Sequence, residues 1–167
     1  MQGGSRDRAL TLAPLDDALA EFNALRHAEP VGGRWASRLD RLAQAAFRAA
    51  DHLIVYGSLS PGAPNHGRLL PLGGAWERGW VEGELEPSGW GVELGYPALR
   101  WRPGSPRVPA YLLHAVALRE HWAVLDRFEG PAYRRILVSF HADTGLRAVG
   151  YLYAVVPAVT DRRSGDS

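Results

Sequence analysis

The sequence predicts an α+β fold: a helical N-terminal segment, then a small, strongly curved sheet or barrel with one further helix set into it. Three observations carry that reading. Apolar residues recur at helical spacing up to about residue 50, the pattern then changes to short apolar runs separated by Gly, Pro and Asp, and one helical stretch returns at about residues 118 to 128. A chain of 167 residues with 46% apolar content is long enough for one domain with a real core and too short for two comfortable ones.

Taken in order, PLDDALAEFNAL (residues 14 to 25) places Leu15, Ala18, Leu19 and Phe22 on one helical face. Pro14, Asp16 and Asp17 suit its first turn, where a missing N–H and negative charge are both tolerated. HAEPVGGRW breaks this helix, and Ser37 is placed to cap a second one with an apolar face of Leu39, Leu42, Ala43, Ala46, Phe47 and Ala50. Strands are expected at HLIVY from residue 52, around Val81 to Leu85, Val92 to Leu94, Tyr111 to Val116, Ile136 to Phe140 and Ala148 to Val155. Between the fourth and fifth of these, the helix at about 118 to 128 turns Leu118, Trp122, Leu125 and Phe128 inward and stops at Gly130-Pro131. The expected division is a helical extension over 1–50, the sheet-rich domain over 51–157 and a flexible tail over 158–167, where DRRSGDS has no apolar partner.

Charge and composition remove whole classes of function. Nineteen basic against eighteen acidic residues leave a formal charge of +1, without the basic footprint of nucleic-acid binding or a polybasic run for an anionic membrane. The absence of cysteine rules out disulfides, thiolate catalysis and cysteine-ligated metals. MQGGSRDRAL lacks the apolar stretch of a secretion signal, and no apolar run approaches the roughly 20 residues that span a bilayer. A soluble cytoplasmic protein with a small-molecule partner is expected, its oligomeric state open.

Two stretches look chemically purposeful. The first is VYGSLSPGAPNH, residues 55 to 66, where Gly57 follows an apolar strand directly and permits a positive φ or a close approach that a bulkier residue would block. Successive amides at Gly57, Ser58 and Leu59 can form a small nest for a carboxylate, a developing oxyanion or a phosphate. The stretch is neither a P-loop nor a dinucleotide fingerprint, since Pro61 and Gly62 stand where a helix should begin and no Lys follows. An ordinary glycine turn after a core strand is the plain alternative.

The second is LDRFEGPAYRR. Glu129 falls in the last turn of the expected helix, whose C-terminus already carries partial negative charge, and Phe128, Tyr133 and Trp122 are available to desolvate it. Both effects raise a carboxyl pKa, which suits a group that takes a proton and later returns it. A solvated surface glutamate is the competing reading. Asp126 lies three residues earlier, so one carboxylate can face inward while the other pairs with Arg127, Arg134 or Arg135. Two carboxylates that close on one helix do not flank a sugar from two sides, which argues against glycoside chemistry.

Other constellations are weaker. His52, His66, His114, His121 and His141 scatter without the i, i+4 spacing of a helical metal site, so no metal is expected. A Ser58 and His66 triad lacks the G-x-S-x-G elbow. Trp76, Trp80, Trp90 and Trp101 read as core or lid aromatics.

The ordered set Tyr56-Gly57-Ser58-Leu59, Gly62, Asn65-His66, Tyr96-Pro97, Leu125-Asp126, Glu129-Gly130, Tyr133 and Arg135 resembles the gamma-glutamylcyclotransferase-like superfamily, including its AIG2-like and gamma-glutamylamine cyclotransferase branches, over about residues 52 to 155. The resemblance implies a small mixed β-barrel with flanking helices. It implies Glu129 as the catalytic acid and base, and Tyr56, Gly57, Ser58, Leu59 and Tyr133 as substrate-binding positions. The chain departs from the family pattern at Val108-Pro109-Ala110-Tyr111, where a Val-x-Gly-x-x-Tyr arrangement is usual, so the pocket wall is expected to differ there.

A γ-glutamyl substrate carries its own nucleophile, the α-amine, so an enzyme of this kind need only fold it toward a five-membered ring and move protons. The resemblance therefore implies release of 5-oxoproline and a free amine or amino acid by a transferase or cyclising lyase, with no cofactor, metal, nucleotide or covalent intermediate. The loop amides would hold the substrate α-carboxylate or the oxyanion. The alternative is a non-catalytic binding or interaction module on the same fold, with Glu129 serving only structure.

Overall fold

Alternation decides the architecture. In β1 (His52–Val55), Leu53 and Val55 turn to one side and Ile54 to the other. In β5 (Tyr133–Ala142), Leu137 opposes Ile136 and Val138, and in β6 (Arg147–Val155), Tyr151 and Tyr153 oppose Leu152 and Ala154. Strands that are apolar on both faces must be covered on both. The computed structural model describes residues 6–28, 34–87 and 96–155. One buried cluster draws on all six strands and fills the barrel, with Ile54, Leu112, Val138, Phe140 and Leu152 among its members. The other joins the outer faces of the strands to the helices and loops through Leu19, Leu59, Leu69, Leu118 and Trp122.

Besides β1, β5 and β6 the sheet contains β2 (Ala75–Glu86), β3 (Ala98–Trp101) and β4 (Arg107–His114), in the order β3-β2-β4-β1-β6-β5. β5 returns to pair with β2, so five strands close into a barrel and β3 lies outside it on β2. β1 and β6 run parallel and the other pairs antiparallel, which makes the barrel mixed, as the resemblance implies. β2 serves three partners: Ala75 to Glu82 pair with β4, Gly79 and Trp80 also with β5, and Gly83 to Glu86 with β3. At Gly79 a Cβ would lie 2.0 Å from the His141 carbonyl oxygen and 2.7 Å from the Phe140 ring. Only glycine lets the two strands approach this closely.

Two helices precede the barrel, α1 (Arg6–Ala28) and α2 (Arg34–Phe47). α1 begins eight residues before the expected Pro14 start. It lies on β5 along a narrow seam of Leu15, Leu19 and Asn23, spaced four residues apart, which leaves Ala18 exposed. Asn23 is buried, and its side-chain amide donates to the Leu137 carbonyl (2.8 Å) and accepts the Leu137 N–H (2.7 Å), acting as a strand partner for β5. Arg134 closes the end of α1 by donating to the Arg26 and His27 carbonyls (3.1 and 3.0 Å). In α2, Ala43 is buried as expected, whereas Leu42 is 63% exposed and Ala46 is also on the outside.

The helix expected at 118 to 128 is a 3₁₀ turn over Val116–Glu120 followed by α3 (Trp122–Glu129), with Leu118, Trp122 and Leu125 buried and Phe128 half-buried. β3 was not expected from the pattern, and the strand anticipated at Val92 to Leu94 lies outside the described residues. Asp51, fully buried at the entry to β1, receives Arg119 Nε and Nη2 (2.5 and 2.8 Å) and Arg48 (3.3 Å). The Arg119 hydrogen bonds hold its carboxyl below the usual range, so the buried charge stays paired and ties β1 to the turn before α3. Among the described residues no helix is long and apolar enough to cross a membrane.

Because a carbonyl oxygen cannot swing away as a side chain can, Gly79→Ala is expected to destabilise the fold by about 1–3 kcal/mol. A urea midpoint equal to that of the parent protein would contradict the closure described for β2 and β5.

Candidate active site

Where β1 leaves the barrel, Tyr56 is fixed before the chain turns. Its hydroxyl donates to the Tyr153 carbonyl (2.9 Å) and accepts the Leu99 N–H (3.0 Å), pinning the end of β1 to β6 and β3. Burial pushes this phenol above its ordinary pKa, so it stays protonated. The loop that follows folds on itself: the Ser60 amide donates to the Gly57 carbonyl (3.0 Å), Ala63 to Ser60 (2.9 Å) and Asn65 to Ser58 (2.8 Å). The amides of Gly57, Ser58 and Leu59 have no carbonyl acceptor among the described residues. Leu59 anchors the loop with a buried side chain, and His66 Nδ1 donates to the Leu59 carbonyl (3.1 Å) while its ring leans on Trp76.

Gly57 does not have the positive φ that the sequence suggested; in this loop that conformation falls on Gly62, at φ 82°. A Cβ at Gly57 would meet the Tyr96 side chain at 3.8 Å, an ordinary contact. A small side chain would therefore fit here without backbone strain, and a larger one would extend along the Tyr96 side of the cleft.

From the other side, α3 is docked by three groups. Trp122 Nε1 donates to the Ala50 carbonyl (3.0 Å) and Leu125 is buried. Asp126 takes both Arg135 Nε and Nη2 (2.7 and 3.1 Å) and the Tyr153 hydroxyl (2.6 Å). Arg135 in turn lies against the Trp122 and Tyr151 rings, with its guanidinium carbon 4.8 and 5.0 Å from their centroids. Asp126 is thus held by Arg135 and Tyr153, and Glu129, at the end of the same helix, is turned to the cleft. Gly130, at φ 78°, ends the helix there and lets the chain turn into β5. Burial raises the Glu129 carboxyl to about 7.

The cleft is lined by Ile54 through Leu59, Tyr96, Pro97, Glu129, Tyr133 and Tyr153, and encloses about 450 Å³ including its open mouth. Tyr56, Gly57, Ser58, Leu59, Tyr133 and Glu129, separated by up to 77 residues in the chain, all face it (133 − 56). Glu129 is its one charged lining group. No lining residue comes from β4, so the Val108 to Tyr111 departure falls away from the described wall. Among the described residues, no three His, Asp or Glu side chains gather closely enough to hold a metal ion. Sequence reasoning missed Tyr153 as a lining residue, because its link to Asp126 crosses from one element to another and leaves no local pattern.

The sequence profile described as "Gamma-glutamyl cyclotransferase, AIG2-like" matches residues 53–166. No match is found among curated proteins. Among solved structures, an AIG2-like protein of Mus musculus is 24% identical, with 64% of this chain and 77% of that one covered and a TM-score of 0.49. YkqA of Bacillus subtilis is 23% identical at a TM-score of 0.49, with 63% of this chain covered but 35% of that one. An Arabidopsis thaliana protein solved in solution is 18% identical at 0.49, with 70% and 75% covered.

A carboxyl raised from 4.5 to about 7 by burial costs stability only once the folded state must ionise it. The cost is absent below pH 4.5 and complete above about 7. Glu129→Gln is therefore expected to gain about 1–3 kcal/mol over the parent protein between pH 4.5 and 8. Urea unfolding at the two pH values checks this, and a difference that does not change with pH would contradict it.

Proposed function

The chain belongs to the gamma-glutamyl cyclotransferase, AIG2-like family, and on that premise we propose that it is an enzyme converting a γ-glutamyl compound to 5-oxoproline and a free amine or amino acid. The observation that carries this reading is Glu129: a carboxyl brought near neutrality by burial, in a cleft faced by an amide-bearing loop. A group with a pKa close to the working pH can both take and give a proton.

In the proposed reaction the substrate α-nitrogen attacks the γ-carbonyl carbon, a C–N bond closes the five-membered ring, and the γ-amide C–N bond breaks. The α-ammonium gives up two protons, and the leaving nitrogen gains two on its way from amide to ammonium. Glu129 carries them one at a time. The Gly57, Ser58 and Leu59 amides are assigned the substrate α-carboxylate or the tetrahedral oxyanion. Tyr133 is assigned to the wall against the γ-glutamyl group. The Tyr56 ring is assigned the same role, since its hydroxyl is committed to Tyr153 and Leu99.

Incubation with γ-glutamyl amino acids, γ-glutamyl amines and glutathione, monitored for 5-oxoproline, tests the reading. Turnover of at least one is expected, with kcat/KM rising through an acid limb near the Glu129 value of about 7. Glu129→Gln should lose at least about a hundredfold in kcat with the fold intact. Binding without 5-oxoproline would assign the fold to a binding module, and near-normal activity of the variant would remove Glu129 from the mechanism.

The loop gives an independent check. Gly57→Val should weaken substrate binding by filling the space before Tyr96, while Ser58→Ala should remain within about threefold of the parent, because only the Ser58 amide is used. Loss of turnover in Ser58→Ala with binding and fold retained would instead point to a serine nucleophile.

A further inference from the structure

The Glu129 cleft lies at the C-terminal ends of the parallel strands β1 and β6; at their N-terminal ends is a second cavity, of about 740 Å³ including its open mouth. Leu15 of α1 and Phe47 of α2 are its apolar walls, and Asp16, His52, His141 and Arg147 are among its polar groups. Asp16 and Arg147 carry opposite charges to one cavity, yet neither is in an ion pair with the other or with any other side chain among the described residues. The Ser139 hydroxyl donates to Asp16 Oδ1 (2.9 Å), leaving the second carboxylate oxygen for another donor.

The two histidines are fixed and uncharged. His52 Nδ1 donates to the Val149 carbonyl (3.0 Å), so its Nε2 is an acceptor. His141 stacks flat on Trp80, with ring centroids 3.9 Å apart. Burial lowers the pKa of both, and His141 also feels Arg147 and, in the opposite sense, Asp16. The cavity's charges are thus one anion, Asp16 on α1, and one cation, Arg147 at the start of β6.

We propose that this cavity binds a free α-amino acid with an apolar side chain, its carboxylate on Arg147, its ammonium on Asp16 and its side chain against Leu15 and Phe47. A simple anion would meet the Asp16 carboxylate and a simple cation the Arg147 guanidinium, whereas a zwitterion satisfies both. The apolar walls favour a hydrophobic body between the charged ends. The site stands apart from Glu129 and does not depend on the proposed reaction.

Titrating the full chain with L-leucine, N-acetyl-L-leucine and L-leucinamide, by calorimetry and thermal shift, tests the proposal. Saturable binding of L-leucine is expected, at least about tenfold weaker for each analogue that lacks one charge. Arg147→Gln and Asp16→Asn should each weaken it by about tenfold or more, with Glu129→Gln leaving it unchanged. Asn keeps an acceptor for Ser139, and circular dichroism checks that each variant folds. No saturable binding, equal binding of the analogues, or indifference to both substitutions would overturn the proposal, and loss in Glu129→Gln would move the binding to the other cleft.

Discussion

The close approach of β2 and β5 at Gly79 is the constraint on which the rest of the molecule depends. Without it the sheet would be an open ribbon, its inner face wet and its two ends unrelated. With it, the cluster around Ile54, Val138 and Phe140 has an inside, and β1 and β6 are held parallel at the centre of the barrel wall. Both cavities are consequences, since one forms at each end of that parallel pair.

β2 reaches only His141 and Ala142, so the middle of β5 has β6 on one edge and no strand on the other, and the N-terminal helices answer that need. Asn23 supplies one donor and one acceptor to Leu137, and Arg134 returns the favour by closing the last turn of α1. Buried backbone groups must be paired somewhere, and here a side-chain amide does what a neighbouring strand would do. Leu19 and Ala43 then join the cluster that backs the barrel and α3.

Stability and chemistry pull in opposite directions at α3. Asp126, the fully engaged carboxylate, anchors the helix through Arg135 and Tyr153, and that anchorage holds Glu129 in a desolvated position it would not otherwise take. A buried carboxyl costs folding free energy when it ionises, so the neighbouring ion pair and aromatic packing offset a position that favours proton transfer. The loop from Gly57 is arranged by the same division of labour: Tyr56 and Leu59 fix it, and Gly57 and Ser58 between them line the cleft.

Much of this was legible in the chain itself. Short apolar runs at HLIVY, Ile136 to Phe140 and Ala148 to Val155, bounded by Gly, Pro and Asp, determined three barrel strands. Helical spacing determined the inward Leu118, Trp122 and Leu125, and the ordered motifs around Tyr56 and Glu129 picked out residues that share one cleft. Only the tertiary structure decided the seam of α1, since Asn23 reads as polar until Leu137 needs its amide, and only it assigned positive φ to Gly62 in place of Gly57. β3, Tyr153 in the cleft wall, and the meeting of Asp16 and Arg147 in the lining of one cavity were decided there as well. Periodicity along a chain records which face a residue takes, but partners distant in sequence are set by how strands close and helices dock, and that information is carried by contacts that leave no local pattern.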